Sequence, residues 1–360
     1  MRTALVHDYL TQRGGAERVV LSLCQAFPDA PIHTSVYEPA GTFPEFASRT
    51  VLPSPLNRVA AVRAHHRLGL PFYAAVFSRM IVDADVVVCS SSGWAHGARA
   101  TGHKIVYCHT PARWLYQRAT YLGSESRARA LALLQPALAR WDVRAAASAH
   151  RYLANSRVVR DRIHDLYGID AEVVPPPHTL DPAGAREAVD GIDAGFFLCV
   201  SRLLPYKNVD TVIAAFAGLP YPLVVVGAGF AAAALQASAP PNVRFLPVAT
   251  DGQLRWLYGN ATAVVAASYE DFGLTPVEAA AFGTPAVVLR WGGFLDTVVE
   301  GETGVFFHPP PEPAGIAAAV RRLVAEPPDR DAIVGHAEQF SEERFVGRVR
   351  GVVDDVLQRG

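Results

Sequence analysis

The chain has 360 residues, half of them hydrophobic and 19% charged, which gives enough apolar material for two buried cores and rules out a disordered chain. Its 33 basic and 34 acidic residues leave a net charge of −1, so no global field holds nucleic acid or an acidic membrane, and only a local basic patch does so.

Taken in chain order, Ala4-Leu5-Val6 reads as a strand, without the apolar core and small-residue cleavage site of a signal peptide. A helix is predicted from about Ala16, with Val19, Leu23 and Phe27 on one face and Val20 and Cys24 beside it. Val86-Val87-Val88-Cys89 and Ile105-Val106-Tyr107-Cys108 are continuous apolar runs that fit parallel strands covered on both faces. A helical, arginine-spaced region runs over about 126–148, and Tyr152-Leu153-Ala154 is a further strand. Val174-Pro175-Pro176-Pro177 opens a stretch through Gly191, rich in Pro, Ala, Gly and Asp, that reads as a linker. A second series begins with Phe196-Phe197-Leu198-Cys199-Val200 and continues with strands at 223–226, 243–246, 263–266 and 286–289, with helical patterns between. The last segment, from Phe340, is helical in pattern. The uncharged stretch 211–242 is broken by Pro220, Pro222, Gly227 and Gly229, so it is not expected to span a membrane. Cys24, Cys89, Cys108 and Cys199 form no C-x-x-C pair and read as buried free thiols in a reducing compartment. The fold class is α/β, with two doubly wound parallel-sheet domains and a cleft between them.

Three loops carry chemistry. Gly14-Gly15 follows the first strand, where bare backbone N–H groups at a helix start suit a phosphate; an ordinary tight turn explains them too. Ser201-Arg202 and Lys207-Asn208 follow the first strand of the second half, where ligands of open α/β sheets bind. Arginine's fork and lysine's point charge suit a diphosphate, and only Lys104 and Lys207 are lysines, the other basic residues being arginine. Glu270-Asp271-Phe272-Gly273-Leu274-Thr275-Pro276-Val277-Glu278 spans a strand end and a helix start. Within it Thr275 is expected as N-cap, Pro276 at the first helical position, and Thr275 with Glu278 as a capping box. Capping leaves Glu270 unexplained, and that carboxylate suits the hydroxyls of a sugar.

The segment Glu270 to Glu278 resembles the E-x7-E motif of retaining glycosyltransferases of family 4, which have the GT-B fold. Gly14-Gly15, Tyr107-Cys108-His109-Thr110-Pro111, Ser201-Arg202, Lys207-Asn208, Gly283-Thr284-Pro285, Gly292-Gly293 and Glu300-Gly301-Glu302-Thr303-Gly304 fall in the family's order. The resemblance covers nearly the whole chain and is greatest to bacterial mannosyltransferases of surface-polysaccharide assembly. It implies two Rossmann-like domains facing a central cleft: an acceptor-side domain over 1–175, a linker over 176–194, a donor domain over 195–340, and a C-terminal helix over 341–360 packing back on the first domain. It also implies that Arg202 and Lys207 bind the donor's diphosphate and Glu270 its sugar, helped by backbone groups around Phe272, Gly273 and Leu274. By the same resemblance Thr275 lies near the phosphates, Glu278 holds the ribose, Gly14 and Gly15 approach the diphosphate, Val248 touches the base and His109 the donor sugar. Asp271 stands where the family often has glycine, and either alters sugar preference or faces solvent.

The implied reaction moves a hexose, mannose from GDP-mannose first, to a glycan or lipid-linked acceptor with retention of configuration, without metal or other cofactor. Asp83-Ala84-Asp85 resembles a D-x-D metal motif but reads better as polar residues at a strand entrance. Arg58, Arg63, His65, His66 and Arg67 form one basic segment, and Arg113, Trp114, Tyr116 and Arg118 another; either suits anionic lipid or an acceptor, and a solvated face explains the first as well. Trp256 and Trp291 read as packing residues. The expected setting is cytoplasmic, with peripheral contact at the inner face of the membrane and no nucleic-acid partner. A UDP-sugar transferase acting on a small molecule, a nucleotide-sugar epimerase, a Rossmann oxidoreductase and a non-catalytic sugar-binding module are the alternatives; the oxidoreductase lacks its G-x-G-x-x-G.

Overall fold

The structure, a computed structural model, is described for residues 1–117 and 125–359, the side chains of 125–133 excepted. It divides into two units, one formed by Met1–Pro176 with the C-terminal helix Glu342–Arg359, the other by Pro177–Ser341. The fold is GT-B.

Among the described residues of the first unit seven strands form a parallel sheet: β1 (Thr3–His7), β2 (Ile32–Thr34), β3 (Val51–Pro53), β4 (Val86–Ser91), β5 (His103–Cys108), β6 (Arg151–Ala154) and β7 (Glu172–Val173). Their order is 3-2-1-4-5-6-7. The valine run of β4 is buried throughout because helices cover both faces. On one face lies the helix Gly15–Ala26, whose Val19, Val20, Leu23 and Cys24 are buried at helical spacing. Beside it packs Glu342–Arg359, through Phe345, Val349, Val352, Val353 and Val356. Burying each such side chain stabilises by about 1.5–3 kcal/mol relative to exposure. Ser22 donates to Glu342 at 2.6 Å and Arg350 to the Ala26 carbonyl at 2.8 Å, fixing the helix along its length.

The second unit has six parallel strands: β8 (Phe197–Val200), β9 (Leu223–Val226), β10 (Val243–Leu246), β11 (Ala263–Ala266), β12 (Ala286–Leu289) and β13 (Gly304–Phe307). Their order is β10-β9-β8-β11-β12-β13. Each sheet reverses its strand order beside its first strand, between β1 and β4 and between β8 and β11.

The stretch expected as a linker does not hang free. Leu180 and Val189 are buried in the second core, and the Glu187 N–H donates to the Gly252 carbonyl at 3.0 Å. Its Pro, Ala and Gly content describes irregular backbone, while two apolar anchors decide where that backbone lies. Asp83 and Asp85 sit at the β4 entrance, where both pair with Arg2, at 3.2 and 3.9 Å. All four cysteines are buried; burial pushes the Cys24 thiol up to about 11 and those of Cys89 and Cys199 up to about 12, far from thiolate chemistry. Among the described residues no helix is long and apolar enough to cross a membrane.

Candidate functional site

In open α/β sheets ligands bind beyond the carboxyl ends of the strands where the order reverses. In the second unit that place lies after β8 and β11, and side chains join the two loops. After β8 the chain makes one tight helical turn, Pro205–Lys207. Asn208 follows with φ of 53°, in the left-handed region that asparagine tolerates through local hydrogen bonds; its Nδ2 donates to the Ala267 carbonyl at 2.9 Å. Lys207 Nζ donates to Glu270 Oε1, which also accepts from Ser268 Oγ at 2.8 Å. Both members of this ion pair are largely buried, so salt screens it weakly, and removing either leaves a charge in a poorly solvated place. Arg202 is exposed; its Nη2 donates to the Tyr206 hydroxyl at 2.9 Å, and the Tyr206 ring lies 5.2 Å from Lys207 Nζ. Two cations and one carboxylate thus stand at the reversal point.

The loop from Glu270 to Leu274 is held from behind. The Gly293 N–H donates to the Glu270 carbonyl at 2.9 Å, and a Cβ on Gly293 would overlap the backbone of Phe272. Gly273 has φ of 88°, and a Cβ there would come to 2.5 Å from the Phe294 ring. The Phe272 side chain is buried against Phe340 and Val277, so this residue offers a ligand only its backbone. Asp271 is buried as well, which removes the solvent-facing reading of its carboxylate.

The expected cap is displaced. The helix runs Leu274–Ala280 with Gly273 as N-cap, which puts Pro276 at the third helical position. Thr275 does not cap; its Oγ1 donates to the Val200 carbonyl at 3.4 Å. Glu278 is not in a capping box either, since its Oε2 accepts from the Tyr258 hydroxyl at 2.7 Å. The cause is Gly273, whose left-handed backbone turns the chain into the helix earlier than a threonine cap would. Val248 follows β10 and is strongly exposed.

In the first unit Gly14 caps and Gly15 begins the helix Gly15–Ala26. Gly14 has an ordinary extended backbone, and a Cβ there would come to 2.6 Å from Glu17 Oε2, so the end of that side chain would have to shift. Glu17 is buried, accepts from Gln12 Nε2 at 3.1 Å and faces His7 Nε2 at 3.7 Å. His109 directly follows β5, in a buried position. Burial, with His7 beside it, pushes its imidazole down to about 3, so it is neutral near pH 7. Its Nε2 lies 2.8 Å from Ser90 Oγ, which lies 3.0 Å from His7 Nδ1; that nitrogen also meets the Ser90 carbonyl at 3.1 Å. A carbonyl only accepts, so His7 Nδ1 carries the proton, and the Ser90 hydroxyl hydrogen-bonds to both rings. Neutral His109 keeps one N–H donor and one acceptor nitrogen. Asn155 Nδ2 donates to the His109 carbonyl at 2.9 Å and fixes the backbone there.

Sequence reasoning missed His7, Ser90 and Glu17. The available signal was Ser90-Ser91-Ser92 directly after the apolar run Val86–Cys89, at the carboxyl end of β4 where sites collect. Trp114, expected at the acceptor, is buried and stacked on Trp94 with centroids 4.0 Å apart, so neither ring face is open. Arg113 is partly exposed, and Arg118 lies outside the described residues. Trp256 packs on the second core 6.0 Å from Phe196, and Trp291 meets Tyr269 edge-on at 5.1 Å.

Two family models match. That of the Glycosyltransferase Family 4 domain covers residues 13–182, and that of Glycosyl transferases group 1 covers 191–340. The chain belongs to the family 4 glycosyltransferases. Among curated relatives, this family 4 chain is 33% identical over 234 residues to a D-inositol 3-phosphate glycosyltransferase of Actinosynnema mirum, covering 55% of each chain. It is 30% identical over 214 residues to the D-rhamnosyltransferase WbpZ of Pseudomonas aeruginosa, covering 56% of this chain and 55% of that one. With a glycogen synthase of Thermus thermophilus it shares 34% over 216 residues, covering 53% and 49%. The chain spans about half the length of the curated relatives it matches. Among solved structures, Anabaena HepE in complex with UDP-glucose superposes with a TM-score of 0.73 at 17% identity, covering 99% of this chain and all of that one. The sucrose-phosphate synthase of Thermosynechococcus elongatus does so at 0.74 and 17%, covering all of both. These likenesses show the GT-B fold.

Proposed function

We propose that this chain is a retaining hexosyltransferase that uses a nucleoside diphosphate sugar, GDP-mannose first, and a glycan or lipid-linked acceptor. The observation that carries the reading is the Lys207–Glu270 pair with Arg202 on the adjoining turn, at the strand-order reversal of the second unit. Such a set matches a ligand that is anionic at one end and hydroxylated at the other. Arg202 and Lys207 offset the charge that grows on the leaving diphosphate, the form of catalysis in which preorganised charge contributes most. Glu270 accepts from sugar hydroxyls, and backbone groups at Phe272, Gly273 and Leu274 add to it. Thr275 serves the phosphates, Glu278 the ribose and Val248 the base. His109 offers a neutral imidazole N–H to a sugar hydroxyl, and Gly14 and Gly15 bring backbone N–H groups to phosphate.

In the proposed step the bond from the anomeric carbon to the diphosphate oxygen breaks. The acceptor oxygen forms its bond from the same face, and its proton passes to the departing phosphate. Retention then needs no covalent protein intermediate. No resident metal or cofactor is part of the proposal.

We further propose that the reaction takes place at the inner face of a membrane. Between residues 46 and 82 there are five arginines and no acid, and Val59, Leu68 and Phe72 are each about half exposed. Two members of the basic segment serve the chain itself. Arg63 pairs with Glu38 at 3.4 Å, and His66 stacks on Tyr9 at 4.2 Å.

The test is calorimetric binding of GDP, UDP, ADP and NAD to the intact chain, followed by turnover with the matching nucleotide sugars. Tight binding of one nucleoside diphosphate, lost in Arg202→Ala/Lys207→Ala, is the expected result and names the base. Preference for NAD, or no binding by folded protein, would sink the reading. Product formed without acceptor would turn it toward an epimerase.

A further inference from the structure

Two of the most exposed large apolar side chains of the second unit stand on neighbouring loops. Phe230 is 91% exposed and Val248 is 77% exposed. A single exposed apolar residue carries little information, but two on adjacent strand ends, beside a cationic turn, do. Phe230 follows β9 and Val248 follows β10, strands that pair in register from Leu223 with Val243 to Val226 with Leu246.

The Phe230 loop is stitched to its neighbours. The Gly227 N–H donates to the Leu246 carbonyl at 2.9 Å, on the β10 side. On the other side the Leu203 N–H donates to the Ala228 carbonyl at 2.9 Å, and the Ala231 N–H to the Leu203 carbonyl at 3.0 Å. A Cβ on Gly229 would overlap the Leu203 carbonyl, so glycine is what lets the two backbones touch. Leu203 follows Arg202 directly. The ring of Phe230 is therefore held out in water by a loop anchored on the segment that carries the cation.

We infer that Phe230 is a stacking platform for the base of a nucleoside diphosphate whose phosphates meet Arg202 and Lys207. The inference rests on the donor reading above and adds to it a residue outside the sequence motifs. A flat base offers a π-face to an aromatic ring whatever its hydrogen-bonding edge, so the platform supplies affinity without reading that edge. A purine covers more of the ring than a pyrimidine. Val248, on the loop after the adjacent strand, contributes apolar surface at the same edge of the sheet. An alanine at 230 removes this contact while leaving the cationic turn in place, and the exposure of Phe230 means that the core does not depend on it.

The test is calorimetric titration of the full chain and its Phe230→Ala and Phe230→Trp variants with GDP, UDP and inorganic pyrophosphate. The expected result is that Phe230→Ala weakens GDP about tenfold or more, equivalent to about 1.4 kcal/mol, and UDP less. Pyrophosphate, which has no base, binds the variant as it binds the parent, and Phe230→Trp keeps GDP affinity. Unchanged GDP and UDP affinity in Phe230→Ala, with loss in Arg202→Ala/Lys207→Ala, would overturn the stacking role alone. Equal loss of GDP and pyrophosphate in Phe230→Ala would also overturn it, because the residue would then be shaping the phosphate site. Absence of nucleotide binding by the parent chain would overturn it together with the donor reading.

Discussion

His109 illustrates how a single side chain is prepared by its surroundings. Burial holds its imidazole down to about 3, whereas a solvated histidine in the unfolded chain titrates near 6.5. Between those two values the unfolded chain binds a proton that the folded chain refuses. Stability contributed by neutral His109 is therefore present above about pH 6.5 and is lost as pH falls toward 3, by up to about 1.4 kcal/mol per pH unit. In His109→Gln that contribution disappears. Denaturant unfolding at pH 7 and pH 5 should show a difference between the two pH values that is smaller in the variant by up to about 2 kcal/mol. Equal pH dependence in parent and variant would mean that His109 titrates alike in the folded and unfolded chain. The same neutrality bears on function, because an imidazole that is uncharged from pH 5 to 8 contributes a fixed N–H donor over the whole range.

Among the elements, the loop from Glu270 to Gly273 depends on glycines placed behind it as much as on its own residues. Gly293 touches the Phe272 backbone where a Cβ cannot fit, while its N–H holds the Glu270 carbonyl. In Gly293→Ala neither side can give without moving backbone. Chemical denaturation should report a loss of about 1–3 kcal/mol, the range for overpacking. Nucleotide-sugar affinity should fall with it, since Glu270 and its pairing with Lys207 move with the loop. Gly315 is the contrasting case. It lies within the helix Pro313–Ala325 with nothing near its missing Cβ, so Gly315→Ala should stabilise by about 0.5–1 kcal/mol and leave binding alone. Similar effects from both changes would mean that the Gly293 contact is not decisive.

The two glycines also mark what was legible before the structure. Strands such as Leu223–Val226 and Ala286–Leu289 stood out to the residue, because continuous runs buried on both faces are bounded by Pro, Gly or polar residues. Thr275 is not the cap, because a positive φ at Gly273 is a property of the backbone that no spacing rule reports. The strand Gly304–Phe307 was hidden in a glycine-rich turn motif, and the three-residue strands β2 and β3 are too short to show a period. Lys207 and Glu270 were both named from sequence, but their union depended on which strands are neighbours, and chain order does not state that β8 pairs with β11.

For the whole molecule, near-neutrality conceals an uneven distribution of charge. A net of −1 says nothing about residues 46 to 82, where five arginines meet no acid. Arg58 and Arg67 lie there among exposed Val59, Leu68 and Phe72, the mixture that settles into an anionic bilayer surface. Each basic side chain close to such a surface contributes about 1 kcal/mol, and the attraction falls off within a Debye length of about 8 Å at physiological salt. The contribution of the apolar residues is indifferent to salt. Co-sedimentation of the intact chain should therefore show binding to vesicles containing phosphatidylserine or phosphatidylglycerol, and little to phosphatidylcholine alone. Raising the salt to about 0.5 M should weaken the binding without abolishing it. Arg58→Glu/Arg67→Glu should remove the preference for anionic lipid, and Phe72→Ala should remove the part that survives salt. Neither change touches the Lys207 turn, so nucleotide binding by both variants should match the parent. Equal binding to neutral and anionic vesicles, or anionic binding unchanged in the double glutamate variant, would show that this basic segment does not recognise an anionic membrane surface.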